Sequence, residues 1–200
     1  EWAKNDTMFY AGGSGGGWGG GGGNVTVHKF SALGLHIGPF ADMPGSINVI
    51  EQSPDETMIA VASDDGGARV FNSTTGTLIV DLYNTTFQEQ GENASDPENV
   101  ISLSWSNDGT RLFFSPGEHK LASFWTSNWT IEWNDTHHPS WVGAMDTTPD
   151  DRLLLVSSGA LLTAYWVNNS TEAWNMTNHS QHIRVVTISP DGRFVASGSD

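Results

Sequence analysis

Apolar residues along this chain fall in short runs, and each run stops at a phrase rich in Pro, Asp, Gly, Ser or Thr. The clearest case is IRVVTISPDGRFVASGSD, Ile183 to Asp200. Val185, Thr187 and Ser189 alternate with Val186 and Ile188, a period of two that predicts a strand. Pro190-Asp191-Gly192 supplies turn chemistry, and Phe194 to Ser197 resumes the apolar pattern. Weaker copies begin at Ile47 (INVIEQSPDETMIAVASDD), Val100 (VISLSWSNDGTRLFFS) and Trp141 (WVGAMDTTPDDRLLLVSS), with a trace at Lys4 (KNDTMFYAGGS). The turn aspartates Asp55, Asp108, Asp150 and Asp191 stand 53, 42 and 41 residues apart. Short strands recurring at about 40–45 residues predict a propeller array.

Between these phrases lie further β-rich runs. INVIEQ, TMIAVAS, ARVFN and LIVDLY form one set; VISLSW, RLFFS, KLASFW and WTIEW a second; WVGAM, RLLLVSS, LLTAYWV and TEAWNM a third. Their separators, such as Asp64-Asp65-Gly66-Gly67 and Ser73-Thr74-Thr75-Gly76, are hairpin chemistry. Near-continuous apolarity in MIAVAS and LLLVSS predicts inner strands covered on both sides, and alternation in TEAWNM predicts an outer one. No apolar period of 3.6 is sustained, so no helix is expected. The expectation is an all-β fold: a β-propeller of four-stranded antiparallel blades, with four to five blades represented and the first and last incomplete. Residues 1–200 read as one propeller domain or segment, with units at 1–40, 47–84, 100–134, 141–176 and 183–200. The leading unit takes Thr7–Gly13, Asn24–Phe30 and Leu33–Phe40 as strands. Gly12–Gly23 holds ten glycines and reads as a long hairpin loop. Its Trp18 is either an exposed aromatic platform or folds over an adjacent loop.

Charge narrows the partners. Eight Lys and Arg against 23 Asp and Glu give a formal net charge of −15. Phosphate recognition needs a basic surface, so nucleic acid is excluded as an expected partner and an anionic membrane surface is disfavoured. No run reaches the ~20 apolar residues of a membrane span. Cysteine is absent, so neither disulfides nor thiolate metal sites are available. Asparagine is more telling. Eleven of fourteen open an Asn-x-Ser/Thr sequon: Asn5, Asn24, Asn72, Asn84, Asn93, Asn128, Asn134, Asn168, Asn169, Asn175 and Asn178. Ser and Thr make up about a fifth of the chain, so roughly three sequons are expected by chance. N-glycosylation of several sites is the favoured reading. The competing one is a turn vocabulary in which Asn and Thr bond their own backbone.

The turn phrases SPDE at Ser53, SNDG at Ser106 and SPDG at Ser189, with the ASGSD ending, resemble the WD-repeat β-propeller family. His138 and His179, each eleven residues before Pro149 or Pro190, fall where that resemblance implies a structural histidine. The family's Trp-Asp place is held by Phe71-Asn72, Trp125-Thr126 and Trp166-Val167, which implies an incomplete buried hydrogen-bond set. The segments AYWVNNSTEAW and SFWTSNWTIEW are more similar to quinoprotein-type repeats of secreted prokaryotic, including archaeal, proteins. Propellers host many functions, so the resemblance implies architecture rather than a ligand.

Candidate chemistry is sparse. His137, His138, His179 and His182 fall in equivalent connections, where imidazoles could hold zinc, copper or nickel; loop anchoring is the favoured role. Asp64-Asp65 offers carboxylate oxygens to calcium but lacks EF-hand spacing and reads as a hairpin turn. No nucleophile elbow or cofactor motif appears, so no catalytic, cofactor-binding or metal residue is assigned. N-linked glycan is the only non-protein group expected. The geometric expectation is that turns between third and fourth strands carry sequons, while loops between second and third strands form a barer face. Together these readings predict an extracellular scaffold without enzymatic activity. Its partners would be protein, including further copies of itself in a surface layer or filament, or glycan. The alternative is a ligand-binding, carbohydrate-active or metal-dependent propeller, and a third reading is an intracellular partner scaffold.

Overall fold

The computed structural model describes residues 8–11, 25–63, 65, 67–82, 100–116, 119–135 and 137–200. Trp18 and its glycine-rich loop, the stretch 83–99, and the sequon residues Asn5, Asn24, Asn84 and Asn93 lie outside them. Among the described residues all regular structure is β. The chain divides into two compact units, Glu1–Val100 and Ile101–Asp200.

The first unit holds two antiparallel meanders. β1 (Met8–Ala11), β2 (Val25–Ser31) and β3 (His36–Met43) form a three-stranded sheet; β4 (Ile47–Gln52), β5 (Met58–Ser63), β6 (Ala68–Asn72) and β7 (Leu78–Asp81) form a four-stranded blade. The second unit has two blades, β8 (Val100–Trp105), β9 (Arg111–Pro116), β10 (Leu121–Trp125) and β11 (Ile131–Asp135), then β12 (Val142–Thr147), β13 (Leu153–Ser158), β14 (Leu161–Trp166) and β15 (Glu172–Met176). A two-stranded sheet, β16 (Ile183–Ile188) with β17 (Val195–Ser199), follows. In every sheet spatial order follows chain order. The fold class is that expected: four-stranded antiparallel blades with partial sheets at both ends.

Each unit's core lies between neighbouring sheets, not within one. Val27, Ala41 and Met43 of the three-stranded sheet pack on Ile59, Val61 and Phe71 of the next. In the second unit the period of two in β13 does the sorting. Leu154 and Val156 pack on Phe113 and Leu121 of the preceding blade, while Leu155 packs with Ile183 and Val186 of the following sheet. A blade has two greasy faces and needs a neighbour on each. That is why β5 and β13 are buried after their first residue, and why β15 is exposed at all but Ala173.

Two irregularities recur. The first strand carries a bulge at Ile47/Val49, Val142/Ala144 and Ile183/Val185. The third and fourth strands slip by one at Val70/Phe71, Ser123/Phe124 and Ala164/Tyr165. The bulge in β16 also breaks the alternation read from the sequence, leaving Val185 exposed.

Candidate functional site

The turn aspartates are built into one repeated hydrogen-bond device. Ser53, Ser106, Thr148 and Ser189 donate their hydroxyls to Asp55, Asp108, Asp150 and Asp191 at 2.6–2.7 Å. Each carboxylate also accepts the backbone N–H two residues on, from Thr57, Thr110, Arg152 and Arg193. Each hydroxyl oxygen accepts the N–H five residues on, from Met58, Arg111, Leu153 and Phe194. Hydroxyl donation from Ser53, Thr148 and Ser189 is the main cause holding Asp55, Asp150 and Asp191 below the ordinary carboxylate range. At Asp108 burial opposes ionisation, but bonds from Thr110 and Ser106 outweigh it. The device explains why Ser-x-Asp recurs: it closes the first hairpin of each blade.

Of the connection histidines His138 turns inward, His179 is half-buried, and His137 and His182 are exposed. His138 is 4% exposed, its ring edge-on to Tyr165 at 5.6 Å and its Nε2 3.8 Å from Asp135 Oδ2. Burial lowers its pKa and His119 adds to that, against the pull of Asp135. His119 Nδ1 bonds the His138 carbonyl, tying the β9–β10 loop to the connection. His179 contacts Ser199 Oγ at 2.9 Å and Ser197 Oγ at 2.8 Å, clamping its connection to β17. His137 remains exposed, with its Nδ1 3.4 Å from Asp135. Among the described residues no group of three or more His, Asp or Glu is placed to hold a metal.

Asp65 is equally committed. It accepts the Ser63 hydroxyl and the Gly67 N–H, and it pairs with Arg69, whose Nε reaches Asp81 at 3.0 Å. Burial works against its ionisation, yet Arg69 and Ser63 hold its carboxyl below the ordinary range. Its oxygens serve a hairpin. Asp64 lies outside the described residues.

Seven sequon asparagines are described, and six are exposed: Asn128, Asn134, Asn168, Asn169, Asn175 and Asn178. Asn72 is half-buried. Asn128 accepts the N–H and hydroxyl of Thr130, and Asn169 accepts those of Thr171. Asn72 accepts the N–H groups of Thr74 and Thr75. These asparagines therefore also shape their turns, and Trp129 and Ser170 beside them take positive φ of 57° and 54°.

The expected bare face is not there. In a four-strand meander the connections between blades leave from the same end as the loop between second and third strands. Asn134, opposite Ala122 near the start of β10, stands at that end, as do Asn175 and Asn178. Both ends of the blades carry sequons.

Sequence reasoning also missed a cleft of about 490 Å³ between the two blades of the second unit, lined by Arg111, Asp151, Arg152, Trp166, Asn168 and Thr171. Arg111 lies 4.2 Å from the Trp125 ring centroid and Arg152 5.5 Å from that of Trp166. A second cleft, of about 320 Å³, begins on the other side of Trp166 and Arg152, at Pro149 and Pro190. The sequence places Trp166 only where the resemblance puts the Trp-Asp pair, with no sign of a cleft beside it. The side chains beside it come from two repeats.

The family model described as WD domain, G-beta repeat, matches residues 39–72 and 171–200. The first match runs from β3 to the end of β6, and the second from β15 to the end of β17. These stretches are similar to repeats that serve as scaffolds and commonly bind proteins. No curated protein matches the chain. No helix of the described residues is long and apolar enough to cross a membrane.

Proposed function

We propose that this chain is an extracytoplasmic, N-glycosylated propeller-type scaffold that binds protein or glycan and performs no catalysis. One observation supports this most directly. The turn aspartates Asp55, Asp108, Asp150 and Asp191 and the connection residue His179 are engaged in holding turns and connections, while six of seven described sequon asparagines face solvent. Glycan on Asn128, Asn134, Asn168 or Asn169, Asn175 and Asn178 would cloak both ends of the blades, and neighbouring Asn168 and Asn169 compete for one. Glycopeptide mass spectrometry on native material is the test: several occupied sites are expected, and wholly unmodified asparagines would favour an intracellular scaffold.

Assembly into a surface layer or filament is the finer part of this reading. Electron microscopy and light scattering of native material should reveal higher-order assemblies; a strictly monomeric species would remove this part.

The Trp166 cleft favours a ligand-binding version. An aromatic ring flanked by Asn, Thr, Asp and Arg side chains suits a sugar, whose apolar face packs on the ring while its hydroxyls bond the polar rim. A glycan-array signal lost in Trp166→Ala would support it. An identical signal in the variant would place any sugar elsewhere.

A further inference from the structure

We propose that His28 and His36 form a two-imidazole site for a divalent transition metal, copper(II) first. They stand eight positions apart in sequence, on strands joined by a short turn. His28 Nδ1 and His36 Nε2 nonetheless lie 2.9 Å apart, with ring centroids at 4.9 Å. Two register shifts make this meeting, one between Val27 and His28 and one between Lys29 and Phe30. They place His28 opposite Pro39 and Phe30 opposite His36. The Phe30 ring then packs on His36, with centroids at 5.1 Å. Val25 and Val27 are buried on the other face of β2, so both imidazoles are outward and reachable.

Donor chemistry ranks the metals. The 2.9 Å separation is that of the hydrogen bond between the rings, which puts both nitrogens within reach of one ion. Imidazole suits zinc, copper and nickel, and copper(II) leads the affinity order. In the free pair one ring nitrogen donates its proton to the other. Binding needs both facing nitrogens bare, so that proton moves to the far nitrogen of its own ring, and a neutral pair releases none to solvent. On the same face, Thr26 donates its hydroxyl to Asp42 at 2.7 Å, leaving a carboxylate one register step away. A formal net charge of −15 draws cations toward the whole surface. No third His, Asp or Glu joins the pair among the described residues, so water completes the coordination and the metal exchanges readily.

Calorimetric titration of the intact chain with copper(II) chloride and, separately, zinc chloride tests the site, with electron paramagnetic resonance of the copper form. One copper per chain is expected, bound more tightly than zinc, with nitrogen splitting from two imidazoles. His28→Ala and His36→Gln should each weaken copper at least about tenfold and remove one nitrogen from the spectrum. His182→Ala should change neither. Unchanged melting temperatures separate ligand loss from misfolding, and an exposed Gln at residue 36 preserves a hydrogen-bond partner for His28. Wild-type copper affinity in both His28 and His36 variants, or tighter zinc than copper, would overturn the assignment.

Discussion

Asp151 holds Asn107 across the gap between two blades. Its Oδ1 accepts the Asn107 backbone N–H at 2.5 Å and Asn107 Nδ2 at 3.1 Å, and its Oδ2 accepts the Asp108 N–H at 2.8 Å. Asp151 achieves this at a positive φ of 54°, where two of the three equivalent turns place Gly109 and Gly192, each at 69°, and the third places Glu56 at 63°. Local strain is set against three charge-assisted bonds to the neighbouring blade. Asp151→Gly relaxes the backbone and removes all three bonds. A net loss of about 1–2 kcal/mol in urea unfolding is expected.

Acid should act on the Ser-x-Asp turns. Asp55, Asp108, Asp150 and Asp191 ionise more readily in the folded chain than in the unfolded one. Their contribution is fully present above the unfolded carboxylate value of about 3.9 and is lost as pH falls through the lower folded values. Asp146 behaves oppositely. Burial raises its pKa despite bonds from the Ile188 and Thr147 N–H groups, so its stabilising contribution belongs to the protonated form and is lost as pH rises through that raised value. Thermal melts from neutral pH down to about 2 should show Asp108→Asn less stable at neutral pH and less acid-sensitive. Asp146→Asn, whose amide oxygen can still accept the Ile188 N–H, should be at least as stable as wild type at neutral pH.

His138 adds a second, milder acid step. The unfolded imidazole takes a proton near pH ~6.5, whereas the buried one does so only at lower pH. Stability therefore falls as pH drops from about 6.5 toward the folded value. Melting temperatures between pH 8 and pH 5 should decline in wild type and flatten in His138→Asn.

The pair Arg111 and Glu132 stands where the next blade has Leu153 and Ala173. Arg111 reaches Glu132 through two bonds of 2.8 and 3.1 Å, and their side chains are only 15% and 12% exposed. Leu153 and Ala173 instead pack on the core beside β16. Glu132→Ala strands a largely buried guanidinium and should cost about 3 kcal/mol. Adding Arg111→Leu copies the neighbouring blade and should recover much of that loss. A double-mutant cycle by chemical denaturation measures the coupling.

Gly76 lies close against the neighbouring sheet of the first unit. Its φ is +70°, and a Cβ there would sit 2.3 Å from the Phe40 carbonyl oxygen. Gly34 has a similar φ of +79° with no atom within 4 Å of an added Cβ. Gly34→Ala should cost about 1 kcal/mol, the backbone penalty alone, and Gly76→Ala at least twice as much. Comparing the two variants in urea isolates the steric part.

Strand positions were legible because turn chemistry is local. Ser-Pro-Asp-Gly fixes a hairpin through groups at most five residues apart, so Asp191 and Asp55 could be read without knowing their neighbours. What escaped depends on slips between strands. The His28–His36 contact exists only because two bulges intervene, and no spacing rule shows a bulge. The bare-face expectation failed for a topological reason: with an even number of strands, Asn134 and Asn178 leave their blades at the end where the middle hairpins also lie. Asp151 hid because an aspartate in a glycine's place looks like ordinary turn vocabulary until its partner, 44 residues away, is seen.

The one-residue slip before each outer strand places Ile79, Glu132 and Ala173 as the extra residue in their blades. Deleting any of them would not merely shorten a strand. The pleat beyond the deletion would turn over, sending outward-facing side chains of β11, Asn134 among them, toward the packed interior while Trp133 swung into water. Single-residue deletions there should therefore be tolerated far less well than substitutions at the same three positions.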